Sequence, residues 1–164
     1  MVIEIDGKTK MQNHNGRMVT RSFVFCLLAG AGVIADQLLK NYIFVQRELP
    51  KYMTQFKNYN FAFSLPLPLW LMYVIYTGVL LLALQLFIKH FSYMTKTETF
   101  GWVLLFSGAV SNIYERISLG YVRDYFIIGN GIFNLADAFI IAGILIVVLF
   151  PSFRKRTVYN TYIV

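Results

Sequence analysis

Residues 69–88 read LWLMYVIYTGVLLLALQLFI, a run without one Asp, Glu, Lys, Arg or His. Coiled as a helix it rises about 30 Å, the thickness of a bilayer's hydrocarbon core. No water-facing surface is built from such a stretch. Three further segments share its character. Residues 22–39 (SFVFCLLAGAGVIADQLL) form the first, a run beginning near residue 100 (FGWVLLFSGAVSNIY) meets Glu115 and Arg116 at its far end, and 133–150 stops at Pro151 and the basic cluster Arg154, Lys155 and Arg156. The expected fold class is an all-α membrane protein with four transmembrane helices and a small extracytoplasmic β-rich loop region.

Composition agrees with that reading. Of 164 residues, 57% are hydrophobic and 14% charged, where an average soluble domain carries about a quarter charged. A soluble enzyme, a disordered tail and a disulfide-stapled secreted domain are all disfavoured. The net charge of +7 is spread in short clusters between apolar runs, as juxtamembrane Lys and Arg are, and so predicts lipid headgroups and no nucleic acid as partner. No zinc-type spacing or phosphate-binding glycine loop is present, so neither metal nor cofactor is expected. The single cysteine, Cys26, reads as inert packing in an apolar run.

Residues 1–21 are polar and patternless and are expected to form a flexible cytoplasmic tail, and residues 152–164 a second cytoplasmic tail. Four spans put both termini on one side. With that side cytoplasmic, nine Lys and Arg lie inside and six outside, a modest positive-inside bias. The loop 41–68 contains a period-two alternation over 59–65, in which Tyr59, Phe61, Phe63 and Leu65 share one face, and this predicts a strand. A hairpin is expected in VRDYFIIGNGIFN, turning at Gly129-Asn130-Gly131.

Only eight residues are acidic, and ionisable groups in a span cost about 2.5–3.5 kcal/mol each at the helix centre. Those near the spans gather at the end assigned to the outside. Asp36 and Lys40 are four apart on one helical face. Asn112, Glu115 and Arg116 share the outer end of the third span. Asn134 and Asp137 are three apart at the start of the fourth, and Asp124 lies in the connection before it. Some of this has a structural reading: Asp36 with Lys40 suits an i,i+4 pair, Asn112 with Arg116 suits interhelical glue or an interfacial anchor, and Asn134 suits a helix cap. Asp137 is harder to explain by structure alone. Two carboxylates brought together in a partly dry site cannot both ionise easily, so one acts as base and the other as acid. Hydrolysis of a peptide bond by an aspartyl dyad is the chemistry these residues support best.

Four blocks in order resemble the lipoprotein signal peptidase (signal peptidase II) family. They are DQLLK, NYNFAFSL, SGAVSNIYERISLGYVRDYF and FNLADAFIIAG, together covering about residues 35–143. The resemblance implies a four-span aspartyl endopeptidase domain over 22–151 in the bacterial inner membrane, monomeric, with its site near the outer face. Its partners would be membrane lipids and lipidated prolipoproteins, cut just before the diacylglyceryl cysteine. It places the catalytic pair on Asp124 and Asp137, and supporting roles on Asp36, Lys40, Asn58, Asn112, Arg116 and Asn134. Asn112 and Asn134 would hold the dyad or the peptide, Arg116 would organise the carboxylates, and Lys40 with Asp36 would stabilise the outer loop. Asn60, Ser111 and Glu115 stand where the family usually has Gly, Gly and Asp. The alternatives are a non-catalytic precursor-binding relative and a small proton-coupled transporter.

Overall fold

The structure, a computed structural model, describes residues 2–60 and 66–151. It is mostly helical, with four long helices and one small sheet. Helix α1 spans Val2–Phe44, α2 Leu69–His90, α3 Lys96–Ser118 and α4 Leu135–Leu149. The backbone of residues 2–21, read above as a flexible tail, is helical and continuous with the apolar segment. No proline precedes Pro50, and a helix nucleated by an apolar span extends at low cost through residues that do not break it. Residues 152–164 lie outside the described residues.

Local chemistry sets the helix ends. Pro66 and Pro68 precede α2, and a 3-10 turn at Phe91–Tyr93 follows it. Thr95 caps α3, its side chain accepting from the Glu98 amide at 3.1 Å, in the T-x-x-E arrangement of a capping box. At the other end the Leu119 and Gly120 amides close on the carbonyls of Glu115 and Arg116. Gly120 sits there at φ +81°, a left-handed conformation favourable to glycine.

Strands β1 (Met53–Asn58), β2 (Val122–Ile128) and β3 (Gly131–Phe133) form one antiparallel sheet in that order. The β2–β3 hairpin turns at Gly129-Asn130 as the sequence predicts, with Gly129 at φ +60°. The first strand differs from expectation. It occupies Met53–Asn58, ahead of the alternating stretch 59–65; Tyr59 and Asn60 fall beyond its end, and 61–65 lie outside the described residues. What selects Met53–Asn58 is pairing: Phe56 stands opposite Asp124 and Asn58 opposite Val122. Gln55 also ties the strand to α1 by donating to the carbonyls of Ile43 and Gln46.

Two packing regions hold the helices. Phe25, Phe91, Met94, Trp102 and Val103 form a buried cluster joined by Phe87 and Phe106, with rings at 4.5–6.2 Å in tilted, stacked and edge-on pairs. Arg21 closes it, donating to the Met94 carbonyl at 2.8 Å over the Phe91 ring. The second region is the α3–α4 seam, where small residues let backbones touch. A Cβ on Gly108 would stand 2.2 Å from the Ala136 carbonyl oxygen, and one on Gly143 would stand 2.6 Å from that of Gly101. Close approach through small residues is a common way for apolar helices to associate where lipid surrounds them.

Much of the outer surface is apolar: Trp70, Val74, Val79, Leu81 and Ile88 of α2 are all more than half exposed. Cys26, read above as packed, also lies on the exposed side of α1. Such a surface suits lipid and not water. Within the described chain, Met18–Phe44 and Trp70–Tyr93 are long and apolar enough to cross a bilayer, and α4 is a shorter apolar helix.

The seam yields a direct test. Gly108→Val forces a side chain into the Ala136 backbone and lowers stability by about 1–3 kcal/mol or more, read as thermal unfolding in detergent. Gly78→Ala is the control, since nothing stands within 4 Å of its Cβ. It is neutral or stabilising, because Ala favours helix over Gly by about 1 kcal/mol.

Candidate active site

Strand β2 carries Asp124 and the first turn of α4 carries Asp137, so two separate elements deliver the two carboxylates. Asn134 meets both. Its side-chain amide donates to Asp124 Oδ1 at 2.6 Å. Its backbone N–H donates to Asp137 Oδ2 at 3.1 Å, while its Oδ1 accepts from the Asp137 N–H at 2.9 Å. The second pair of bonds is a capping box at the start of α4. Asn134 is therefore a helix cap, as its sequence position suggests, and also the bridge between the carboxylates.

Each carboxylate has one further amide donor. Asn58, at the end of β1, donates to Asp124 Oδ2 at 2.9 Å. Asn112 of α3 donates to Asp137 Oδ1 at 2.8 Å. Asp124 is 2% exposed, and burial pushes its carboxyl up from 3.8 to about 6. The Asp137 charge adds to that rise, while the two asparagine amides and the Lys40 charge oppose it. Beside it on β2, Tyr125 is fully buried, and burial pushes its phenol up; the neutral hydroxyl accepts from the Leu135 N–H at 3.0 Å.

Beneath the carboxylates lies a dry ionic cluster. Lys40 and Asp36 are both 0% exposed. The Lys40 ammonium reaches Asp36 at 2.8 Å, Glu115 at 2.9 Å and Asn112 Oδ1 at 3.1 Å. Asp36 accepts in addition from the Ser111 hydroxyl at 2.6 Å and from the Ala136 backbone N–H at 3.0 Å. Gln37 donates to Ser111 at 2.8 Å. Glu115 also takes the Arg123 backbone N–H at 3.0 Å and the Arg123 guanidinium. Lys40 and Asp36, expected to stabilise the outer loop, are joined to Glu115, Asn112, Ser111 and the start of α4.

Arg116 has different partners from those expected. Its guanidinium donates to the Asn60 carbonyl at 2.7 Å and lies 5.2 Å from the centre of the Tyr76 ring. The cation tied to the carboxylates is Lys40, through Asn112. Arg116 sits one helical turn beyond Asn112, where its planar head bridges α2 and the first loop. The network also recruits Glu115, grouped with Asn112 and Arg116 by sequence though given no role, and Gln37, Ser111, Arg123 and Tyr125, which were outside the expected set. Glu115 and Ser111 carried a sequence signal as departures from the family pattern; Arg123 carried only its place beside Asp124.

A cavity of about 540 Å3 opens between α2, α3 and α4. Asn58, Asn112, Arg116, Asp124 and Asp137 line its polar part; Leu80, Leu105, Ile140, Ile144 and Val147 line an apolar remainder that continues to Trp102. Among the described residues no group of three or more His, Cys, Asp or Glu is placed to hold a metal ion. The arrangement sets two carboxylates, bridged by Asn134, at the polar end of an apolar cavity.

Comparison with known proteins gives a consistent picture. The family model described as signal peptidase (SPase) II matches residues 28–153. A lipoprotein signal peptidase of Dehalococcoides mccartyi is 31% identical over 144 residues, covering 80% of this chain and 90% of that protein. One from Streptococcus pneumoniae is 28% identical over 126 residues, 70% of this chain and 82% of the relative. A shorter match, 42% identical over 62 residues, covers 34% of this chain and 42% of a lipoprotein signal peptidase of Clostridioides difficile. Among solved structures, a bacterial membrane enzyme determined by the in meso method at 1.9 Å superposes with a TM-score of 0.65 at 24% identity, covering 77% of this chain and 90% of that one. A second such structure at 2.3 Å gives 0.63, with 77% and 85% covered. These likenesses show the fold.

The ionic cluster predicts a large and reversible penalty. Lys40→Met leaves Asp36 and Glu115 buried without their shared cation and costs about 3–5 kcal/mol of stability. Adding Asp36→Asn recovers part of the loss by removing one orphaned charge. Thermal unfolding of the single and double variants measures both.

Proposed function

The chain belongs to the signal peptidase II family, and on that footing we propose that it is a membrane aspartyl endopeptidase. It removes signal peptides from diacylglyceryl-modified prolipoproteins, cutting N-terminal to the lipidated cysteine. The observation that carries this reading is the meeting of Asp124 and Asp137 on one asparagine at the polar end of an apolar cavity.

In this reading all four helices cross the bacterial inner membrane, with N and C termini cytoplasmic and the sheet on the outer side. The ends of α3 and α4 that carry Asn112 and Asp137 then lie near the outer face, beside the sheet strand that carries Asp124. The 15 residues of α4 rise about 22 Å, so its capped start lies slightly inside the headgroups. A precursor already anchored by its acyl chains reaches the cavity from within the lipid, and its apolar signal segment lies along the apolar wall. The enzyme acts as a monomer and its chemistry uses side chains alone.

The reaction needs one carboxylate ionised and the other protonated. The ionised group takes a proton from water, and the water oxygen attacks the scissile carbonyl carbon. The protonated partner donates to the carbonyl oxygen. As the tetrahedral species collapses, the C–N bond breaks, the leaving cysteine amine takes the proton the base had gained from water, and the other carboxylate recovers the hydroxyl proton, restoring one ionised and one protonated partner. Asp124, held near 6, exchanges its proton readily close to neutral pH. The amides of Asn58, Asn112 and Asn134 keep both carboxylates oriented throughout, and Arg116 is placed at the cavity to meet a substrate carbonyl.

The test is cleavage of a synthetic diacylglyceryl precursor peptide by the purified protein. Scission before the lipidated cysteine is expected, with loss of about 10³-fold or more in Asp124→Asn and Asp137→Asn while both remain folded. With Asp124 as the base, the low-pH limb of kcat/KM is expected near pH 6, with activity rising as pH increases through it; with Asp124 as the acid, activity falls through the same pH. Full activity in either variant overturns the dyad. Binding of the precursor without cleavage supports a non-catalytic precursor-binding protein, and proton-coupled uptake into vesicles without cleavage supports a transporter.

A further inference from the structure

Strand β2 is fastened at the residue before Asp124. The Arg123 backbone N–H donates to Glu115 Oε2 at 3.0 Å, and its guanidinium pairs with Glu115 Oε1. The two terminal nitrogens of that guanidinium run to α1, one to Asn41 Oδ1 at 2.6 Å and the other to Gln37 Oε1 at 3.0 Å. The same group lies 5.7 Å from the centre of the Phe44 ring. Its side chain is 12% exposed, so this is not a loose surface pair. Successive residues on a strand point to opposite faces: Arg123 points into the α1–α3 angle and Asp124 to Asn58 and Asn134.

Two routes then connect the carboxylates. The short one is Asn134, which reaches Asp137 by its own backbone N–H and also through Asn112, to whose Oδ1 it donates at 3.3 Å. The long one runs from β2 through Arg123 to Glu115, on to Lys40 and Asn112, and ends at Asp137. Without the long route, Asp124 would ride on a strand held near that point by its sheet partners, two asparagine amides and the Tyr125 bond to Leu135. Arginine is suited to the task because one rigid fork serves three acceptors at once. Glutamate at position 115 is suited because its two oxygens reach Lys40 and Arg123 together.

We propose that Arg123 is a positioning residue for the reaction: by clamping β2 to Glu115, Gln37 and Asn41, it sets where the Asp124 carboxylate stands relative to Asp137. The proposal rests on the dyad reading above. Arg123 makes no contact with the cavity-facing carboxylate oxygens, so its effect passes through the backbone of β2 and the Glu115–Lys40 pair. A carboxylate displaced by about 1 Å loses about 10²-fold in rate, while the cavity that binds substrate is left intact.

The experiment compares wild type, Arg123→Ala, Arg123→Lys, Glu115→Gln and the Arg123→Ala/Glu115→Gln double variant on the lipidated precursor, with rates normalised to folded protein. Arg123→Ala is expected to lower kcat by about 10²-fold with KM changed less than about twofold. Arg123→Lys, which keeps one bond to Glu115, is expected to fall between the two, at about a tenth of the wild-type kcat. The double variant falls no further than the worse single one, because both break the same clamp. A wild-type kcat per folded molecule in Arg123→Ala, even with a lowered Tm, overturns the proposal. If the alanine variant does not fold, the lysine variant decides: lowered kcat at constant KM supports the clamp, and unchanged kcat overturns it. Asp124→Asn is run alongside, and full activity there removes the dyad reading and the clamp's purpose with it, a failure distinct from that of the clamp alone.

Discussion

One buried ammonium organises this molecule. Lys40 is fully enclosed, where an isolated charge would cost several kcal/mol, and it is held there by three acceptors: Asp36, Glu115 and Asn112. Each acceptor leads to a different part of the fold. Asp36 holds the first turn of α4 through the Ala136 amide. Asn112 holds Asp137. Glu115 holds β2 through Arg123. The ammonium thus joins α1, α3, α4 and the sheet at one point, and through Asn112 it is tied to the Asp137 carboxylate. The charges of Lys40 and Arg123 balance those of Asp36 and Glu115, so the platform itself is neutral.

This arrangement divides the work between a rigid half and an open half. The α3–α4 seam, closed through Gly108 and Gly143, and the α1 platform fix the site. Helix α2 is secured mainly by the aromatic cluster around Phe25, Phe87, Phe91 and Phe106, and the cavity lies between it and the α3–α4 pair. An apolar chain can lie there without disturbing the platform. The close-packed seam and platform are built on small residues and buried ions; the cavity wall is built on large apolar side chains.

Much of the site was legible because polar groups in apolar surroundings are expensive. Asp36, Lys40, Asn112, Asn134 and Asp137 stand out on cost, and helical spacing places Asp36 with Lys40 and Asn134 with Asp137 before any fold is known. The hairpin was legible because Gly129-Asn130 has few other uses between two apolar runs. The first strand was not. MTQFKN is polar and shows no alternation, and it becomes a strand only by pairing with β2, while the alternation over 59–65 attracts the assignment instead. The Glu115–Arg123 pair was also hidden. Eight residues separate the two across a helix end and a turn, and the α1 acceptors of Arg123 lie more than eighty residues away. No local pattern records a meeting that depends on how α1 crosses α3.

Asp124 is kept partly dry beside that platform, and burial raises its carboxyl from 3.8 to about 6. Infrared titration of the folded protein in a bilayer reads this directly, through the C=O stretch of a protonated carboxyl. The account predicts a band that disappears with a midpoint near pH 6 and is lost in Asp124→Asn. A protein with no protonated carboxyl titrating above pH 5, or a band unchanged in Asp124→Asn, would contradict it.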